Sequence, residues 1–133
     1  MNDHSMLNSN GKYLLSRMGH RDLLAITDAG FNIPKNVETV DLALLPNIPT
    51  IMQVIEAVLL ETPIEKVYLA EEIKEQAPEI LTAYEEHFKG IPIEFLPHTP
   101  DFDDLVGTAK GAIRSGQYGY HAPNCVLKIG CPY

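Results

Sequence analysis

A chain of 133 residues with 45% hydrophobic and 21% charged side chains is sized for one globular core, so a single domain over 1–133 is expected, with residues 1–5 as an N-terminal extension lacking fixed structure. Ten Lys and Arg against eighteen Asp and Glu give a net charge of -8, which disfavours nucleic acid and anionic membrane surfaces as partners. No apolar stretch approaches the length of a membrane span and "MNDHSMLNSN" lacks the features of a signal peptide, so a cytoplasmic location is expected.

Helix-capping candidates in Asn8-Ser9-Asn10 precede Leu14, Leu15 and Met18 at helical spacing, and Gly19 is placed to end that helix in a left-handed conformation. Residues 23 to 27 form an apolar run of strand length, followed by turn residues behind Gly30. A second strand is predicted over Thr39 to Leu44, closed by Pro46 and Pro49. Thr50 then caps a helix whose apolar face is Ile51, Val54, Ile55, Val58 and Leu59. A third strand, Lys66 to Ala70, leads into the acidic start "EEIKEQ" of a helix that Pro78 kinks or restarts and Gly90 ends. After a fourth strand, Ile93 to Leu96, the spacing of Phe102, Leu105, Val106, Ala109 and Ile113 predicts a helix despite Gly107 and Gly111, with Gly116 as its cap. The last strand is Cys125 to Ile129. Short apolar strands alternating with helices argue for an α/β fold of three layers, a mostly parallel sheet with helices on both faces.

In such sheets ligands bind outside the carboxyl ends of the strands. Asp28 follows the first strand and His98 the fourth, so topology directs both towards one cleft, whereas His20 precedes the first strand and belongs near the opposite edge. Each also has a structural reading, Asp28 as a turn aspartate and His98 as a loop histidine. His4 and His87 read as surface residues. "DAG" supplies one glycine and no nucleotide-binding pattern, no GxSxG nucleophile motif is present, and neither cysteine adjoins a histidine. His20, His98 and Asp28 could make a two-histidine, one-carboxylate metal site, but no histidine pair at ligand spacing supports it, and no metal is expected. Cys125 and Cys131 read as reduced, partly buried thiols. The loop "RSGQYGYHAPNC" crowds Tyr118, Tyr120, His121 and Asn124 together, which suits either a sugar site or a well-packed connection.

Six segments in order, "MLNSN", "MGHRDLLAITDAGFNIP", "VDLAL", "VYLAEEIKEQAPE", "LPHTPDF" and "AIRSGQYGYHAPN", resemble the RbsD/FucU family of sugar mutarotases. The resemblance runs from about Met6 to Ile129, and "DAG" and "AEEIK" resemble its ribose branch more than its fucose branch. It implies an enzyme, free of cofactors, that interconverts the pyranose and furanose forms of a free monosaccharide. It also implies a ring-shaped homo-oligomer with sites between neighbouring subunits. By residue, it makes His20 the catalytic proton donor and Asp28, His98, Tyr120 and Asn124 sugar-binding. The family's late motif reads Pro-Tyr-Ala-Asn, whereas "GYHAPN" is one residue longer, with Gly119 where the proline is expected. Either Tyr120 or His121 could therefore fill the tyrosine position, and a fucose-type mutarotase or a sugar-binding module without catalysis is the alternative function.

Overall fold

The computed structural model describes residues 5–131, so His4 and most of the expected N-terminal extension lie outside the described residues. The chain is tied down from Met6, which is buried and whose N–H donates to Glu61 Oε1 at 2.6 Å. Helix α1 spans Ser9–Ser16, capped by the Asn8 side chain, which accepts the Gly11 N–H. It stops before Gly19, whose N–H donates to the Asp22 carboxylate at 2.6 Å, and the positive φ of this turn falls on Arg21 instead. Strand β1 is Leu23–Thr27, β2 Glu38–Asp41 and α2 Ile51–Glu61. Strand β2 ends three residues before the predicted limit at Leu44, because Leu44 and Leu45 turn back to pair with Ile48. Thr50 and Gln53 close a reciprocal cap at the start of α2, and Ile51, Val54, Ile55 and Val58 are buried.

Strand β3, Ile64–Ala70, begins two residues before the predicted start at Lys66. The helical region after it splits into α3, Ile73–Gln76, and α4, Pro78–His87, with Pro78 in the first turn of α4 where its missing N–H costs no hydrogen bond. Strand β4 is Ile93–Leu96. The predicted helix over Phe102 to Ile113 is corrected by the structure: α5 covers only Asp103–Gly107, and Gly111–Arg114 is strand β5. Two glycines weaken the helix, and "GAIR" finds parallel partners on both sides, in β1 and β2. A Cβ at Gly111 would sit 2.6 Å from Leu14 Cδ1, so the bare backbone is what lets α1 lie against this strand. Strand β6 is Cys125–Ile129.

The six strands lie in the order β2-β5-β1-β6-β3-β4. All neighbours are parallel except β6, which runs antiparallel to both β1 and β3. One face, with Leu24, Ile26, Val67, Leu69, Ile113 and Leu127, packs on α1 to α4. The other, small-residued face, with Ala25, Ala70 and Ala112, packs on Phe102 and Val106. The result is the expected three-layer α/β architecture, with one reversed strand near its centre.

Cys125 is buried against Tyr84, and burial pushes its thiol up to about 12, while Cys131 is exposed rather than partly buried. Gly116 does not cap a helix. It passes so close to another segment that a Cβ would lie 2.4 Å from the Ile48 carbonyl oxygen and 2.7 Å from that of Leu45. Gly116→Ala is therefore expected to lose about 1–3 kcal/mol of stability through overpacking, read as a lower urea midpoint.

Candidate active site

Because β6 alone is reversed, its first residue lies at the same sheet edge as the carboxyl ends of the other five strands. Asp28 after β1, Gln117 after β5, His98 after β4 and Asn124 before β6 consequently meet around one cleft of about 710 Å³. That volume lies within the roughly 300–1,000 Å³ usual for small-molecule sites. Tyr118, Tyr120 and His121 line its rim.

The floor is a polar network. Among the described residues the buried polar side chains besides Tyr84 and Cys125 are Thr27, Ser115, Gln117 and Asn124, all at this edge. The Asp28 N–H donates to Asn124 Oδ1 at 2.6 Å, joining the end of β1 to the start of β6. Ser115 Oγ donates to the Thr27 carbonyl at 2.6 Å and accepts the Gln117 N–H at 3.1 Å. The Gln117 amide then accepts the Ile51 N–H and donates to Asn47 Oδ1, which also accepts the Tyr118 N–H. These bonds hold both ends of the late loop, and the fully buried Tyr84 hydroxyl adds a third anchor by donating to the Pro123 carbonyl at 2.6 Å.

Asp28 is partly buried, and burial raises its carboxyl above the ordinary aspartate range, opposed by the N–H groups of Phe31 and Gly30 and by the Arg114 charge. Its Oδ1 is buried without a hydrogen-bond partner among the described residues. Arg114 is itself held by the Ala29 carbonyl at 2.9 Å.

His98 stands across the cleft. Its backbone N–H donates to both Glu72 carboxylate oxygens, at 3.0 and 3.2 Å, so the acidic start of α3 positions the site rather than merely facing solvent. Its ring lies beside Phe31 and Phe102, with centroids 6.3 and 5.7 Å away, and its Nδ1 is 3.5 Å from Asp103 Oδ1. Tyr120 reaches back to the Glu79 carboxylate, whose hydrogen bond raises the phenol above its usual value, while His121 is exposed on the rim.

His20 is elsewhere. It lies at the opposite edge, in a smaller hollow of about 350 Å³ with Met18, Pro63 and Cys131, and its Nε2 is 2.9 Å from Glu65 Oε1. The five residues of β1, at about 3.3 Å each, put about 16 Å between the two edges. Within one chain, His20, His98 and Asp28 therefore do not converge as metal ligands would. His87, at the far end of α4, is half-buried and bonded to the Ala83 carbonyl rather than free on the surface. Gln117, Ser115, Asn47 and Glu72 escaped the sequence reading. The loop's crowding of polar and aromatic residues pointed to the neighbourhood of the first two, and nothing local marked the others.

The fold and this edge define the class: an α/β protein with a polar, aromatic-rimmed cleft at the carboxyl ends of its strands. The chain matches the RbsD / FucU transport protein family over residues 1–132 and belongs to it. It is 39% identical over 130 residues to the D-ribose pyranase of Bacillus velezensis, covering 98% of both chains. It is 36% identical over 133 residues to that of Lactobacillus gasseri, covering 100% of both. The structure of Bacillus subtilis RbsD complexed with D-ribose superposes with a TM-score of 0.93 at 34% identity over 100% of both chains. The fucose mutarotase of Streptococcus pneumoniae, solved in complex with L-fucose, shares the fold at a TM-score of 0.81 and 17% identity, over 96% of this chain and 95% of that one.

The raised carboxyl of Asp28 carries a stability consequence. A group that holds its proton more tightly in the folded state favours folding below its unfolded pKa, near 4, and that contribution is lost as pH rises through the folded value. At neutral pH the buried charge is a cost. Asp28→Asn, neutral throughout and still offering an acceptor oxygen, should melt at a higher temperature than wild type at pH 7, with the gap closing below about pH 4. Melting curves of both proteins across that range check this.

Proposed function

We propose that this chain is a cytoplasmic, cofactor-independent sugar mutarotase of the D-ribose pyranase type, interconverting the pyranose and furanose forms of a free monosaccharide. The observation that carries the reading is the convergence of Asp28, His98, Tyr120 and Asn124 on one cleft of sugar-accommodating size. The names of the full-length relatives, and the D-ribose in the Bacillus subtilis structure, support ribose as the substrate.

Opening a cyclic hemiacetal requires a proton delivered to the ring oxygen and another removed from the anomeric hydroxyl, and closure through a different hydroxyl reverses both transfers. Imidazole suits the task because its ordinary pKa, near 6.5, keeps both forms accessible near neutral pH. In this reading His20 is the acid. Asp28 and Asn124 hold sugar hydroxyls, His98 adds a further polar contact, and the Tyr120 ring covers a C–H face. Since the two edges of β1 are about 16 Å apart, the His20 that serves a given cleft comes from a neighbouring copy, in a ring-shaped homo-oligomer. The exposed Leu44, Leu45, Ile48 and Tyr118 give this edge the apolar surface that a contact between copies covers.

The test is saturation-transfer NMR on D-ribose. Wild type should accelerate exchange between ring forms, and His20→Ala should lose at least about a hundredfold in rate, in line with the roughly 10²–10⁴ of a general acid, while folding normally. Ribose signals that broaden without faster exchange would instead identify a binding module, and faster exchange of L-fucose than of D-ribose a fucose-type enzyme.

A further inference from the structure

The register of β3 against β6 pairs Ile64 with Ile129 and Lys66 with Lys128, so Glu65 is an extra residue on β3 with no counterpart. This is a β-bulge, a device that re-aims the side chain it inserts. Here the side chain is aimed at His20, with Oε1 2.9 Å from Nε2. The segment that carries the histidine is tied down as well. The Arg21 N–H donates to the Ile129 carbonyl at 2.8 Å, the Ile129 N–H donates to the Asp22 carbonyl at 2.9 Å, and Lys110 Nζ reaches both the Arg17 carbonyl and the Asp22 carboxylate. The loop bearing His20 is thus stapled to the end of β6 beside the bulge.

Stability does not account for the pair. The two side chains are 43% and 39% exposed, and an ion pair so open to water adds little to stability. What a carboxylate at one ring nitrogen does is choose the tautomer. Were Nε2 to keep its proton for Glu65, the nitrogen left to gain and lose a proton would be Nδ1.

We propose that Glu65 is a positioning residue that holds the Nε2–H of His20 and so presents Nδ1 to the sugar. This rests on the mutarotase reading given above. During opening, the Nδ1 proton of the imidazolium passes to the ring oxygen as the bond from that oxygen to the anomeric carbon breaks. The anomeric hydroxyl gives up its own proton to a base, leaving the open-chain aldehyde and a neutral imidazole that keeps its proton on Nε2. On closure the attacking hydroxyl bonds to the aldehyde carbon and gives its proton to Nδ1, while the aldehyde oxygen takes back the proton held by the base and becomes the new anomeric hydroxyl.

Two variants separate orientation from bulk. Glu65→Gln keeps an oxygen to accept the Nε2–H, and Glu65→Leu removes it. Long-range proton–nitrogen spectra of His20 in the free protein should show the Nε2–H tautomer in wild type and Glu65→Gln and a mixture in Glu65→Leu. In the ribose exchange assay Glu65→Leu should lose at least about tenfold in kcat, a part of the general-acid contribution, with KM for ribose held within about twofold, and Glu65→Gln should recover most of the loss. Wild-type kcat in Glu65→Leu, an unchanged tautomer in that variant, or an equal loss in both variants would overturn the assignment. Failure of the mutarotase reading looks different: wild type would then leave the ring exchange of ribose unaccelerated, while the spectra would still report whether Glu65 selects the tautomer.

Discussion

One reversed strand governs this molecule. Were β6 parallel like its neighbours, Asn124 would open at the far edge, and the end of β1 would have nothing to meet. Reversed, it delivers the Asn124 amide to the Asp28 N–H at 2.6 Å, and the aspartate that bounds the cleft is held by a residue nearly a hundred positions away. The other buried polar side chains extend the same junction through Thr27, Ser115 and Gln117 to the start of α2. Buried polar groups are tolerable when every member is satisfied, and satisfaction here has a second effect: it rigidifies the edge where a ligand would bind. The unpartnered Asp28 Oδ1 stands out against that background.

The elements that were legible in the sequence carry a single unambiguous period. Leu23 to Thr27, Ile93 to Leu96 and Cys125 to Ile129 are strands as read, and Thr50 caps α2 as its spacing implied. The stretch from Phe102 to Ile113 was not legible, because its apolar residues satisfy helical spacing while "GAIR" within it is also a passable short strand. Only the vacancy between β1 and β2, a tertiary fact, decides for the strand. Similarly, a lone apolar run cannot disclose its direction, so the reversal of β6 stayed hidden although the strand itself did not.

At the site the same division holds. Asp28 and His98 could be directed to one cleft by topology, since each follows a strand. Their supports could not: Glu72 is legible only as part of an acidic helix start, and Asn47 and Gln117 meet only when distant loops pack. Nor does a β-bulge leave a mark in the residue order, so Glu65 gave no hint of its partner. His20 was separable from the rest by the simple fact that it precedes its strand.

The late loop is gripped at three places, at Gln117 and Asn124 by the buried network and at Pro123 by the Tyr84 hydroxyl, while Tyr118 to Ala122 arch between them with positive φ at Gly119 and Ala122. An arch with fixed footings can lengthen or shorten without moving its abutments. Tyr118, Tyr120 and His121 ride on that span and not on its footings, so the side chains of the rim can change without disturbing the buried network beneath them.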